Sequence, residues 1–178
     1  LPRRLAAAEV DLVFNIAEGT RGRCREAHVP ALCEMLGLEY TGSDPATLSI
    51  CLDKDLAKRV VAARGILTPE YAVLEQPGEH LLPSLLSFPL VVKPLAEGTS
   101  KGVTRRSLVF DESSLREVAA ELIAKYKQPV IVERYVAGRE LTVGLLGDPR
   151  APRVLPPKET VFLDPSDPTP IYSFELKQ

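Results

Sequence analysis

Residues 88–102 read FPLVVKPLAEGTSKG. Phe88 to Pro94 form a strong β run closed by proline, and a loop of small residues follows. In that loop Gly98 and Gly102 bracket the hydroxyls of Thr99 and Ser100. Such a loop lets backbone N–H groups approach a polyanion closely, and hydroxyls add donors. Lys93 closes the strand with a compact positive charge of the kind that suits phosphate. The spacing is not that of the GxxxxGK[ST] phosphate loop. The same residues also suit a β-hairpin connection with a solvated lysine, so the neighbouring segments have to decide.

Upstream, DLVFNI (11–16) reads as a short buried strand, residues 25–36 as a helix with Pro30 in its first turn, and LEYTGS as a second strand. That is a βαβ rhythm with a parallel pair. Asp44-Pro45 marks a helix start, and the helix is expected to run to about Arg64. YAVLE is a strand, and residues 77–87 a loop with a short helix. Downstream, GVTRRSLVF returns as a strand. Asp111 caps a helix whose apolar face is Leu115, Val118, Ala119, Leu122, Ile123 and Tyr126. PVIVERYV and LTVGLLG are strands, and the proline-rich tail is expected to keep β segments at VFL and IYSFEL. The fold class is thus α/β followed by α+β.

The 178 residues are 45% hydrophobic and 26% charged, which suffices for a buried core. Lys+Arg 22 against Asp+Glu 24 lacks the basic excess of a nucleic-acid protein. No apolar run approaches the roughly 20 residues of a membrane span, and the start lacks a signal-peptide core. Cys24, Cys33 and Cys51 show no CxxC pairing and read as free thiols of a reducing cytoplasm. His28 and His80 are too scattered for a metal cluster, so the residues predict no metal site. Lys58 on the helix after YTGSD, and Glu133 and Glu140 around ERYVAGRE, are further polar features. Taken singly they suit a solvated helix face and a charged hairpin. A carboxylate beside a free backbone amide and carbonyl can also read the edge of a purine.

Taken in order, YTGSD, LDKDLAK, GILTP, FPLVVKPLAEGTSKGV, VIVERYVAGRELTVGLLGD and YSFELK resemble the D-alanine–D-alanine ligase family of ATP-grasp enzymes. The resemblance runs from about Asp11 to Gln178. It implies an ATP-grasp architecture: residues 1–44 ending an N-terminal substrate-binding unit, 45–128 a linker helix and central unit, and 129–178 the start of a third. It implies that Lys58 reaches ATP from the linker helix and that Lys93 binds the α- and β-phosphates. Glu97, Gly98, Thr99, Ser100 and Gly102 would form the phosphate-covering loop, with Ser100 tied to the active site. Glu133, Arg134, Tyr135 and Val136 would form the adenine-reading hinge. Glu140 would bind ribose, and Lys177 would lie near the transferred phosphate. The implied reaction phosphorylates one amino acid's carboxylate with ATP, and the amine of a second attacks the acyl phosphate. ATP, Mg2+, D-alanine, a homodimer and a role in peptidoglycan synthesis are implied with it.

Three places depart from the family pattern. Glu18 stands where a histidine is usual, GRCREA (22–27) stands in place of Gly-Glu-Asp-Gly, and Gln178 stands where tyrosine or phenylalanine is usual. The first two lie near the first amino-acid site. The family's magnesium ligands follow the YSFELK-like segment, and its opening strand precedes Leu1. These residues are therefore expected to be the middle of a longer protein, with little ligase turnover alone. A different acid and amine pair, or a non-catalytic nucleotide-binding remnant, are the alternatives.

Overall fold

The computed structural model describes residues 2–7, 9–78, 86–148, 150–164 and 166–175. After α1 (Pro2–Ala6), β1 (Leu12–Val13) pairs in parallel with β2 (Glu39–Tyr40). Between them a 3₁₀ turn (Arg25–Ala27) leads into α2 (His28–Leu36). Pro30 sits in the first turn of α2, where its missing N–H is no loss. Gly37 ends the helix at φ 66°, in the left-handed region. The expectation of a buried strand at 11–16 is corrected: Phe14 and Ile16 are 76% and 80% exposed. Past Val13 the backbone bonds shift to Thr41, whose hydroxyl accepts from the Asn15 N–H, and pairing stops.

Asp44 caps α3 (Pro45–Leu52) as expected, accepting from the Thr47 N–H at 3.0 Å. The helix does not continue to Arg64. It breaks at Asp53, and α4 (Lys54–Ala62) starts there. Asp53 is extended and 2% exposed, and its carboxylate accepts from the Leu56 N–H at 3.1 Å. One residue thus ends one helix and caps the next. At this elbow the Lys54 N–H donates to the Leu95 carbonyl at 3.2 Å, which docks α4 on the chain after the central strand.

The central sheet contains β3 (Tyr71–Leu74), β4 (Leu90–Pro94), β5 (Leu108–Val109) and β6 (Val130–Arg134), in the order β3-β6-β4-β5, with every pair antiparallel. β6, which falls within residues 129–178, lies between β3 and β4 in this sheet. α5 (Glu112–Tyr126), capped by Asp111, packs on one face. Leu90, Val92, Val130 and Val132 meet Leu115, Val118, Ala119 and Leu122 there. Strand alternation turns Val91 and Lys93 to the opposite face. GVTRRSLVF is mostly not a strand. The Ser107 hydroxyl accepts from the Thr104 N–H at 3.0 Å, the Ser107 N–H returns to the Thr104 carbonyl, and a 3₁₀ turn (Arg105–Ser107) forms.

Beyond β6, LTVGLLG is split into β7 (Glu140–Thr142) and β8 (Leu145–Leu146). β8 pairs with β9 (Arg153–Val154), and β7 with β10 (Lys158–Thr160). VFL and the described part of IYSFEL carry no strand. Most of the short helix expected at 77–87 lies outside the described residues, as do His80, Lys177 and Gln178. No described helix is long and apolar enough to cross a membrane.

Candidate functional site

The register of the sheet builds the floor of a cleft. Val91 lies opposite Glu133 and Lys93 opposite Ile131, so Lys93 is the diagonal neighbour of Glu133 on the face away from α5. Lys93 reaches across that diagonal and ion-pairs with Glu133 Oε2. From α4, Lys58 Nζ meets the other carboxylate oxygen at 2.8 Å. Lys58 also donates to the Thr68 hydroxyl at 2.7 Å and the Pro69 carbonyl at 3.0 Å, and it lies over the Tyr71 ring. A lysine that reads singly as solvated is therefore buried. Burial pushes the Glu133 carboxyl up, but Lys93 and Lys58 outweigh it and hold it below its ordinary value.

The roof is the loop after β4. Thr99 and Ser100 adopt φ of 51° and 56°, left-handed backbone that side chains rarely take up. Bonds from Lys101 N–H to the Gly98 carbonyl and from Val103 N–H to the Ser100 carbonyl, both 2.9 Å, hold the turn. Among the described residues the N–H groups of Gly98, Thr99 and Ser100 have no protein acceptor, which is the pattern of an anion-binding nest. Gly102 (φ 81°) is required by space, since a Cβ would lie 2.6 Å from Pro94 Cγ. A strap formed by residues 167–174 crosses the roof. The Ser100 hydroxyl donates to the Tyr172 carbonyl at 3.1 Å, and the Phe174 N–H to the Val103 carbonyl at 3.0 Å. The Tyr135 hydroxyl donates to the Pro170 carbonyl, and Arg105 grips Asp167 and the Thr169 carbonyl.

Floor and roof enclose about 490 Å³. The cleft brings together Lys93, Glu97, Gly98, Thr99, Ser100, Glu133, Arg134, Tyr135, Val136 and Glu140. Lys58 acts through Glu133 from below. Arg134 offers only its backbone, because its guanidinium pairs outward with Glu70 at 2.6 Å. The Glu97 carboxylate is held by Arg25 at 3.0 Å, Gln128 at 2.9 Å and Lys101 at 3.5 Å. Gly102 shapes the loop from behind.

Lys54, Arg25 and Gln128 were not singled out from the sequence. Lys54 lines the cleft, and its Nζ donates to the carbonyls of Leu95 (3.2 Å) and Glu97 (2.6 Å). Burial, helped by the charge of Lys93, lowers its pKa to about 8. A signal existed: Lys54 and Lys58 are four apart, so two like charges share a helix face, which is unfavourable without a further partner. Arg25 and Gln128 gave no signal, because their roles depend on contacts across 72 and 31 positions. In GRCREA, Arg23 pairs with Asp53 at 2.6 Å. Glu18 is exposed. The loop from Gly19 to Arg25 lines a second cavity of about 920 Å³ on the other side of Leu95–Glu97.

The chain is similar to known proteins in sequence and in fold. The family described as "D-ala D-ala ligase C-terminus" matches residues 60–177. An uncharacterized protein of Sinorhizobium fredii is 39% identical over 137 residues, 77% of this chain and 39% of that protein. A D-alanine–D-alanine ligase of Bordetella petrii is 39% identical over 158 residues, 88% of this chain and 47% of that enzyme. The crystal structure of the Bacillus anthracis D-alanine–D-alanine ligase complexed with ATP superposes with a TM-score of 0.69 at 28% identity. It covers 88% of this chain and 50% of that one. The chain spans about half the length of the curated ligases it matches. With its ATP-grasp sheet and most of its length inside the family match, the chain belongs to the D-alanine–D-alanine ligase C-terminal family.

Proposed function

We propose that this chain forms the ATP-binding part of a carboxylate–amine ligase that joins two small amino acids, with D-alanine as the donor. The observation that carries the reading is Glu133 clamped between Lys58 and Lys93 on the floor of a cleft roofed by open backbone N–H groups. The clamp fits a nucleotide well. Lys93 would turn to the α- and β-phosphates, and Lys58 and Glu133 would meet the base, with the backbone of Arg134–Val136 along its edge. Glu140 would take the ribose hydroxyls. Gly98–Ser100 would cover the outer phosphates with N–H groups that need no reorganisation, which stabilises charge as it develops. The nucleotide supplies a phosphoryl group to the donor carboxylate, ADP leaves, and the acceptor amine then displaces phosphate. Ser100, through the strap, and Lys177 would flank that transfer. Among the described residues no three His, Cys, Asp or Glu side chains converge on a metal position.

In this reading residues 1–44 close a substrate-binding unit, 45–134 form the central unit, and the chain beyond opens a third. A homodimer in the cytoplasm completes it. A different acid and amine pair is the second reading. It is favoured by GRCREA, whose arginines are committed to Asp53 and Glu97. ADP release by the protein carrying this chain separates the two readings. Release that depends on D-alanine is expected. Release with another pair moves the substrate, and ATP binding without release for any pair leaves a binding module.

Lys54 gives the site a pH response. With its pKa near 8, the ammonium that favours a triphosphate is lost just above neutrality. ATP affinity is therefore expected to be highest below pH 8 and to fall about tenfold by about pH 9. Lys54→Arg should flatten that profile in titration calorimetry. The free protein should respond in the opposite direction. A lysine depressed in the fold is a cost at low pH, and the cost is relieved between about 8 and its ordinary 10.5.

A further inference from the structure

We propose that Arg25 is a positioning residue for the phosphate-covering loop, acting on the phosphates of the nucleotide and not on its base. This rests on the nucleotide reading above. Arg25 stands in the 3₁₀ turn before α2, and its guanidinium spans two points of the roof. One arm, Nη1, donates to the Ala96 carbonyl at 2.9 Å, and the other, Nη2, meets Glu97 Oε2 at 3.0 Å. Gln128, next to β6, completes the grip from the opposite side. Its Nε2 donates to Glu97 Oε1 at 2.9 Å, and its Oε1 accepts from the Ala96 N–H at 2.6 Å. The Ala96–Glu97 segment is thus fixed at its N–H, its carbonyl and both carboxylate oxygens. The pair is enclosed, with side-chain exposures of 14% for Arg25 and 10% for Glu97. Enclosure makes a forked, charge-assisted bond stiff as well as strong.

The position of this grip gives it a function. It ends one residue before Gly98, where the open N–H groups begin. The loop beyond it sits in left-handed backbone, which persists only where the surroundings over-determine it. Glu26, the neighbour of Arg25, places Oε1 3.3 Å from the point a Gly98 Cβ would occupy, so the same turn also limits Gly98. The bonds of this grip run to Ala96 and Glu97, and none of them is to Glu133. The grip starts from GRCREA, outside the residues 60–177 that the family match covers.

Titration calorimetry with ATP and with AMP, on the protein carrying this chain, tests the inference. AMP keeps the base and ribose and lacks the outer phosphates. Arg25→Ala is expected to weaken ATP binding about tenfold, the loss of one charge-assisted pair, and to leave AMP within about twofold. Arg25→Lys keeps the charge and loses one arm of the fork, so a smaller loss, again confined to ATP, is expected. Either variant binding ATP like the parent overturns the inference, and so does a loss shared equally by AMP. A parent protein that binds neither nucleotide overturns the nucleotide reading, and this inference falls with it.

Discussion

Replacing Glu133 with alanine is expected to lower stability by about 3 kcal/mol, because it leaves two enclosed ammonium groups without their shared counter-charge. Lys58 is 9% exposed, and its amine is aimed at the vacated carboxylate by Thr68 and Pro69. Both of those partners are neutral, and Lys93 then faces it as a like charge. In a chain of this length that loss corresponds to about 10 °C in melting temperature. Glu133→Gln keeps the shape and the acceptor oxygen and should lose less. Lys93→Ala makes the contrast. Lys93 is the more exposed partner, at 24%, and its removal leaves Glu133 still paired with Lys58. Its stability should change little while ATP affinity falls about a hundredfold, the upper range for a charged contact to phosphate. Thermal denaturation of both variants, with ATP titrations on Lys93→Ala, checks this. A Glu133→Ala protein melting within a degree or two of the parent would remove the clamp from the account. The clamp also has an acid limit. Held below its ordinary value, the carboxylate contributes at neutral pH and is lost as pH falls through that lowered value.

Gly102→Ala should be about as damaging, for a different reason. The residue sits at φ 81°, and an added Cβ would meet Pro94 Cγ at 2.6 Å, Pro94 Cδ at 2.9 Å and Tyr126 Cε2 at 3.0 Å. The Pro94 ring belongs to a core strand and cannot swing aside. Backbone strain of about 1 kcal/mol and a clash of about 2 kcal/mol are expected together. Gly37→Ala isolates the first part. That glycine is also left-handed, at φ 66°, but nothing lies within 4 Å of its added methyl group. Its loss should stay near 1 kcal/mol. Equal melting temperatures for the two variants would show that the Pro94 contact is relieved without cost.

The contrast between those two glycines shows what sequence patterns reveal. Asp44-Pro45, Asp111 and the four-residue rhythm of α5 are local signals, and the structure follows them. So does β4, whose alternation puts Lys93 on the face opposite α5. The break at Asp53 was hidden. An aspartate inside an apolar helical pattern resembles a solvated position, and only its bonds to the Leu56 N–H and to Arg23 make it a cap. The strand expected at GVTRRSLVF yielded to a hydroxyl that captures its own backbone, which composition does not weigh. In the site, the glycines and hydroxyls of the loop mark a candidate for a polyanion, whereas the roles of Lys58 and ERYV rest on the family resemblance alone. Arg25 and Gln128 leave no such mark, because each acts on the backbone of a segment distant in sequence.

The strap over the roof has a kinetic consequence. Ser100, Val103, Arg105 and Tyr135 each hold it by a hydrogen bond. Lifting the strap alone breaks these bonds, whereas lifting strap and loop together as one rigid flap spares those made by the loop. The shared motion is the cheaper path, so the two segments should relax with one time constant. The coupling free energy between them is the same whichever of the two is steadied first. If Gly98–Ser100 cover a nucleotide as proposed, a fluorophore on the 167–174 segment would report the rate of its release.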